Sequence, residues 1–185
     1  CPSHNNTHVP VASGVAVGVG VVVGIAVGST PPSPGAKIEM LRACQVFDVY
    51  SLNVYATQVD VKKLEEIYRV TGRPIIVGEF HFGVPGRGLA PGLVQVRDLA
   101  ARGAAYRTYV EQAAAFPALI GTSWFQWVDQ PCTGRMDGEN YNIGLVDVTD
   151  RPYPAMLEAM RTTHRRLQGV HAATAPPFAA RPRSP

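Results

Sequence analysis

Between residues 36 and 168 the chain predicts a parallel α/β fold, on three observations. β-Branched or aromatic runs alternate with segments of helical apolar spacing, in the order strand, helix, strand, helix, strand, helix. The run Arg73 to Glu79 is short and almost continuously apolar, as a parallel strand covered on both faces must be. That run stops at one carboxylate, Glu79, followed by Phe80-His81-Phe82 and a loop rich in Gly and Pro. Chemistry in parallel α/β barrels is done at the C-terminal ends of strands, so Glu79 reads as catalytic. A strand-end ion pair is the plainer reading of the same residue.

Each element has its own signal. Lys37 to Ala43 reads as the end of a helix, and Val46 to Leu52, β-branched and aromatic, as a strand. Asp60 can cap a helix whose apolar residues Val61, Leu64, Ile67 and Tyr68 share a face, with Gly72 and Pro74 stopping it. After the strand ending at Glu79, Gly83 to Gly92 is an irregular loop. Leu93, Val96, Leu99, Ala100, Tyr106, Val110 and Ala113 predict a long helix before Pro117. Leu119 to Trp127 is a third strand, and Pro154 to Leu167 a last helix. No strand is followed by a G-x-G-x-x-G turn, which argues against nucleotide binding.

The first 35 residues are of another composition. Residues 11–28 are almost all Val and Gly with no charge, long enough to span a bilayer. Their glycines recur at the four-residue spacing that lets membrane helices approach closely. Yet Val and Gly are poor helix formers, and no basic residue flanks the run before Lys37. A membrane segment and a low-complexity stretch both remain open there, with Ser29 to Gly35 as a linker. The boundaries expected are therefore 1–35, 36–168 and a disordered tail at 169–185. The chain begins with Cys1, which suggests a fragment or a processed product.

Charge excludes one class of partner. The formal net charge is +3 and the pI about 8.9, but the arginines gather at a helix end (Arg161, Arg165, Arg166) and in the tail (Arg181, Arg183). No basic cluster alternates with aromatics, so no nucleic-acid surface is expected. Cys1, Cys44 and Cys132 have no metal-ligand spacing, and neither a metal nor a cofactor is expected.

A second constellation follows the third strand. Trp124-Phe-Gln126-Trp127 leads into a run holding Asp129, Arg135, Asp137, Glu139, Asn140 and Asn142, with Tyr141 among them. Sugars ask for that mixture: rings stack on the apolar face of a pyranose while carboxylates and amides take its hydroxyls. Asx- and Gly-rich loops also often bond only to their own turns. Strand alternation sets Trp124, Gln126 and Val128 on one side and Phe125 and Trp127 on the other.

The strings Gly78-Glu-Phe-His-Phe-Gly83, Arg102-Gly-Ala-Ala-Tyr106, Trp124-Phe-Gln126, Asp129-Gln-Pro131, Thr133-Gly-Arg135 and Asp137-Gly-Glu-Asn-Tyr141 resemble the β-agarases of glycoside hydrolase family 50. The similarity runs in order from Phe47 to Tyr153. It implies strands six to eight of a (β/α)8 TIM barrel, which cleaves the β-galactosidic linkage of agar with retention. It also implies Glu79 as the nucleophile, with Asn53, Tyr55 and Trp124 (facing the barrel interior) lining the sugar cleft. Asp129, Arg135, Asp137, Glu139 and Asn140 of the mixed loop, with His81 and Gln126 beside the two strand ends, are the further candidate substrate contacts. The family carries its acid/base on strand four, and this chain has nothing that resembles strands one to five. An incomplete site, little activity of the chain alone, and a loosely packed sheet with open edges are the expectations that follow. A secreted or surface location goes with a polysaccharide substrate. A non-catalytic sugar-binding remnant, membrane-attached where residues 11–28 span a bilayer, and a β-galactosidase-like enzyme on the same barrel are the alternatives.

Overall fold

The computed structural model describes residues 34–179; the Val/Gly run at 11–28 lies outside them. Helix α1 (Pro34–Ala43) and a 3-10 turn (Cys44–Val46) lead into β1 (Tyr50–Asn53). Then come α2 (Val61–Thr71), β2 (Ile75–Phe80), α3 (Leu99–Ala114), β3 (Leu119–Trp124) and α4 (Pro154–His171). The three strands form one parallel sheet in the order β1-β2-β3. Among the described residues no helix is long and apolar enough to cross a membrane.

Local chemistry accounts for most boundaries. The Asp60 carboxylate accepts the Lys63 N–H and opens α2, and Gly72, at φ 63°, closes it in the left-handed conformation that glycine adopts without strain. Asp98 accepts the Ala101 N–H at 2.7 Å and so starts α3 at Leu99, six residues later than the apolar spacing from Leu93 suggested. The residues before it are extended instead. Gly83 N–H donates to Val94 O and Val96 N–H to Gly83 O, which buries Val94 and Val96 beside the loop after β2. β1 starts at Tyr50, and Val46, expected in the strand, is exposed in the 3-10 turn. β3 ends at Trp124, where the chain leaves the ladder; the Phe125–Gln126 peptide is cis.

One face of the sheet carries the core. Ile75, Val77 and Phe80 of β2 are at most 1% exposed, and Phe80 stacks on Tyr109 of α3 with ring centroids 4.4 Å apart. Tyr106 and Trp124 close the same aromatic cluster around Phe80. Such pairs contribute about 0.5–1.5 kcal/mol each beyond the area they bury. Helix α3 lies between this face and α4, which is why it buries polar residues as well as apolar ones. Glu111 is fully buried there, and its carboxylate meets Arg107, Arg166 and the Phe178 N–H. The C-terminal stretch therefore departs from expectation: α4 runs on to His171, and Phe178 packs under Arg107 as far as the description reaches. A buried carboxylate needs partners, and the tail supplies one.

Candidate active site

The register slips by one residue at the end of β2. Leu52 pairs with Val77 and Asn53 with Glu79, so Gly78 is the extra residue of a bulge. A Cβ on Gly78 would stand 2.6 Å from Ser51 Oγ and 2.9 Å from Asn53 Oδ1, so a larger residue would have to displace those two side chains. The bulge keeps Phe80 on the helix-covered face and leaves Glu79 opposite it, next to the residues that follow β1.

Tyr55 meets it there. The Tyr55 hydroxyl donates to Glu79 Oε2 at 2.6 Å, a short charge-assisted bond. Burial, and then this bond to Glu79, raise the Tyr55 pKa well above the usual phenol value, so the hydroxyl stays a donor at any working pH. Glu139 raises it further and Arg135 lowers it, which puts that charge pair within electrostatic reach of the same hydroxyl.

His81 lies beneath. It is 1% exposed, its ring 4.8 Å from that of Tyr55, and its Nε2 accepts the Leu93 N–H at 2.9 Å. The accepting Nε2 fixes the neutral tautomer with its proton on Nδ1. Among the described residues no partner of ordinary hydrogen-bond geometry meets Nδ1, and the Phe125 backbone is the polar group that favours its proton. Burial pushes the His81 pKa down to about 4, the Phe125 backbone offsets the shift in part, and Arg102 adds to it. His81 thus holds Tyr55 and the loop at Leu93 from below instead of offering a charge to a substrate.

A folded pKa of about 4 below the ordinary 6.5 means that the unfolded chain takes up the proton first as pH falls. Stability from His81 is complete above pH 6.5 and is lost between 6.5 and 4. The loss should reach roughly 3 kcal/mol at the acid end. His81→Gln, whose amide oxygen can replace Nε2 as the acceptor, is expected to flatten this part of the curve. Protection of the Leu93 amide against hydrogen exchange across that range measures it.

The loop after β3 supplies the other wall. Arg135 pairs with Asp137 at 2.8 Å and with Glu139 at 3.5 Å, and its guanidinium lies 5.8 Å from the Phe125 ring centre. Glu139 Oε2 also accepts from Gln130, which is itself buried. Asn140 joins this loop to the one after β2, its carbonyl accepting the Ala90 N–H.

Three of the residues expected to touch substrate stand elsewhere. Asp129 is 3% exposed, with one oxygen accepting the Gly144 N–H at 2.7 Å and the other the Tyr153 hydroxyl. It anchors the loop from within. The Gln126 amide turns back on Val128 O at 3.0 Å. Trp124 pairs with Phe80 in the ladder and joins the helix-covered aromatic cluster, its indole N–H donating to Ile143 O at 2.8 Å. The inward facing expected for Trp124 is thereby corrected: Phe125 is the ring nearer His81, at 6.3 Å. The bulges in the ladder break simple alternation.

Sequence reasoning missed Arg102 and Tyr153. Arg102 is fully buried, donating to Gly144 O at 3.1 Å, to Asn142 Oδ1 at 2.7 Å and to Asn142 O. Its guanidinium and that of Arg87 each lie 5.2 Å from the Tyr153 ring centre. Burial brings the Arg102 pKa down to about 10, with Asp129 holding it up. Tyr153, whose hydroxyl burial and Asp129 push up to about 12, thus clasps α3 and both loops. Arg102 sits in a helix whose pattern left it on neither face; only its repeated carbonyl acceptors reveal the role. Among the described residues no group of His, Cys, Asp and Glu could hold a metal ion.

A carboxylate at the C-terminal end of a parallel strand, beside loops of charged and aromatic residues, stands where parallel α/β barrels carry their chemistry. No protein-family model matches the chain. It is 41% identical over 125 residues to β-agarase B of Vibrio sp. (strain JT0107), which covers 64% of the chain and 13% of that protein. The structure of an exo-β-agarase superposes with a TM-score of 0.68 at 37% identity, covering 72% of the chain and 18% of the other. That of the agarase AgWH50C gives 0.69 at 33% identity over 76% and 21%. Over this segment the chain is a relative of the family 50 β-agarases. It spans only about an eighth of the length of the curated relative.

Proposed function

We propose that the chain contributes to a retaining glycoside hydrolase site for agar-type β-galactan, with Glu79 as the nucleophile. The observation that carries this reading is the Tyr55–Glu79 bond at the sheet's C-terminal end. With Oε2 held by Tyr55, the carboxylate is oriented for attack on an anomeric carbon. A bond forms between Glu79 and that carbon while the glycosidic bond breaks, and water then releases the sugar from the ester. Asn53, Arg135, Asp137, Glu139 and Asn140 are the proposed contacts for its hydroxyls. We read β1, β2 and β3 as strands six to eight of a (β/α)8 barrel, a reading supported by their parallel, consecutive order and by the superposition on an exo-β-agarase.

We assign no acid/base residue. Glu139 is engaged by Gln130 and Arg135, and Asp137 by Arg135 and the Glu139 N–H. The test avoids needing one. In 2-deoxy-2-fluoro-β-galactosyl fluoride the leaving fluoride requires no proton, and the fluorine at C2 slows hydrolysis of the ester. Glu79 should displace fluoride and remain glycosylated, a mass increase on the peptide carrying Glu79 and none on the Glu79→Gln chain. An unlabelled wild-type chain that still binds agar oligosaccharides would favour a non-catalytic sugar-binding protein.

A further inference from the structure

The aromatic residues of the run 124–127 go three ways. Trp124 is packed and its N–H is taken, and Phe125 faces His81 and the Arg135 guanidinium. Trp127 is 67% exposed, and among the described residues it has neither a ring partner nor a hydrogen bond from its indole. Its backbone, by contrast, is fixed. The Trp127 carbonyl accepts both the Leu145 N–H at 2.8 Å and the Val146 N–H at 3.0 Å, and the next residue, Val128, bridges to Val146. The loop that Arg102, Asp129 and Tyr153 hold from within therefore presents one free indole on a held backbone.

We propose that Trp127 is a carbohydrate-stacking platform, a second subsite at the same end of the sheet as Glu79, for a neutral galactan oligosaccharide. Leaving an indole in water forgoes the free energy of its burial, which a bound apolar face recovers. β-Galactopyranose has such a face, formed by the hydrogens on C3, C4 and C5, of about the size of one ring of an indole. A Trp on a fixed backbone has only two side-chain torsions to freeze, so little entropy opposes the stacking. Position favours a sugar chain over an isolated sugar. Trp127 follows the end of β3, and in a parallel sheet that is the end at which Glu79 stands, so an extended ligand can reach from one toward the other.

This inference rests on the glycoside hydrolase reading for its ligand, and the experiment separates the two. The unaltered chain has only two tryptophans, so mass spectrometry after brief N-bromosuccinimide treatment reports on each. Without ligand, Trp127 should oxidise first. With an agar tetrasaccharide its oxidation should slow at least about fivefold, while that of Trp124 changes little. Calorimetry on Trp127→Ala, an exposed site where the fold should persist, is expected to show about a tenfold loss of affinity for the tetrasaccharide. Affinity for galactose, too short to reach both subsites, should fall less than twofold. Tetrasaccharide binding with no protection of Trp127, or equal losses for the two ligands, would overturn the platform and leave the Glu79 reading intact. Protection of Trp127 without any labelling of Glu79 would uphold the platform and sink the hydrolase reading. Absence of any saccharide binding would remove both.

Discussion

Glu79→Gln should abolish the burst of dinitrophenolate expected of the unaltered chain with 2,4-dinitrophenyl β-galactoside, if Glu79 is the nucleophile proposed. The phenolate leaves without a proton, so the first chemical step needs a nucleophile and nothing else. The unaltered chain is expected to release up to one equivalent quickly and then to slow, because resolving the glycosyl ester calls for a base. Glutamine keeps the size of Glu79 and can still accept the Tyr55 hydroxyl, so the fold and the sugar contacts survive. Only the attacking charge is lost. Removing a covalent nucleophile costs several orders of magnitude, and the burst rate should drop on the order of 10⁴-fold or more. Tyr55→Phe makes the companion measurement. It removes the 2.6 Å bond but leaves the carboxylate in place, so the burst should slow by about 10–100-fold and persist. A Glu79→Gln burst within tenfold of the unaltered chain would remove Glu79 from the reaction.

The second large effect is expected at Arg102. Arg102→Met leaves the Asn142 and Gly144 carbonyls and the Asn142 side chain without their buried donor, and leaves Asp129 without its counter-charge. Leaving a buried acceptor unsatisfied costs about 1–3 kcal/mol, and Arg102 serves Gly144 O, Asn142 O and Asn142 Oδ1. The loss should appear locally, in the loop that carries Arg135, Glu139 and Trp127. Hydrogen exchange of the Gly144 and Val146 amides reads it, because these donate to Asp129 and to the Trp127 carbonyl. Their protection should fall by about 100-fold or more, while the Ile75 amide, bonded within the sheet to Ala118, changes far less. Arg102→Lys should recover little, since one ammonium cannot match a planar fork that reaches both carbonyls and the amide. Full protection of Gly144 in Arg102→Met would show that Asp129 and the loop's backbone bonds hold it without the arginine.

The parallel α/β order, the caps of α2 at Asp60 and Gly72, and Glu79 at the end of a buried run could be read from residues alone. These are local: a cap reaches three residues along the chain, and a strand covered on both faces is apolar whatever surrounds it. Extents were less legible. The spacing from Leu93 onward is helical on paper, but Asp98 closes its cap on Ala101, and Gly83 pairs with the residues before it. Nor could a sequence show that Asp129 is buried under Tyr153 while Trp127 stands in water. Both belong to one polar stretch, and the loop that carries it is held by Arg102, a residue about twenty-five positions earlier.

The class of fold, the acidic strand end and the kinship with the family 50 β-agarases lie in the order of residues along the chain, the last through long motif strings. Residue type and short spacing carry that information. Which side each residue faces is set by packing between distant segments. A single bulge at Gly78 puts Phe80 into the core and leaves Glu79 to Tyr55, and the loop after β3 takes its shape from a buried arginine on α3. The reason is physical: one extra residue in a strand reverses every side chain beyond it, and a buried charge selects whichever distant carbonyls can satisfy it.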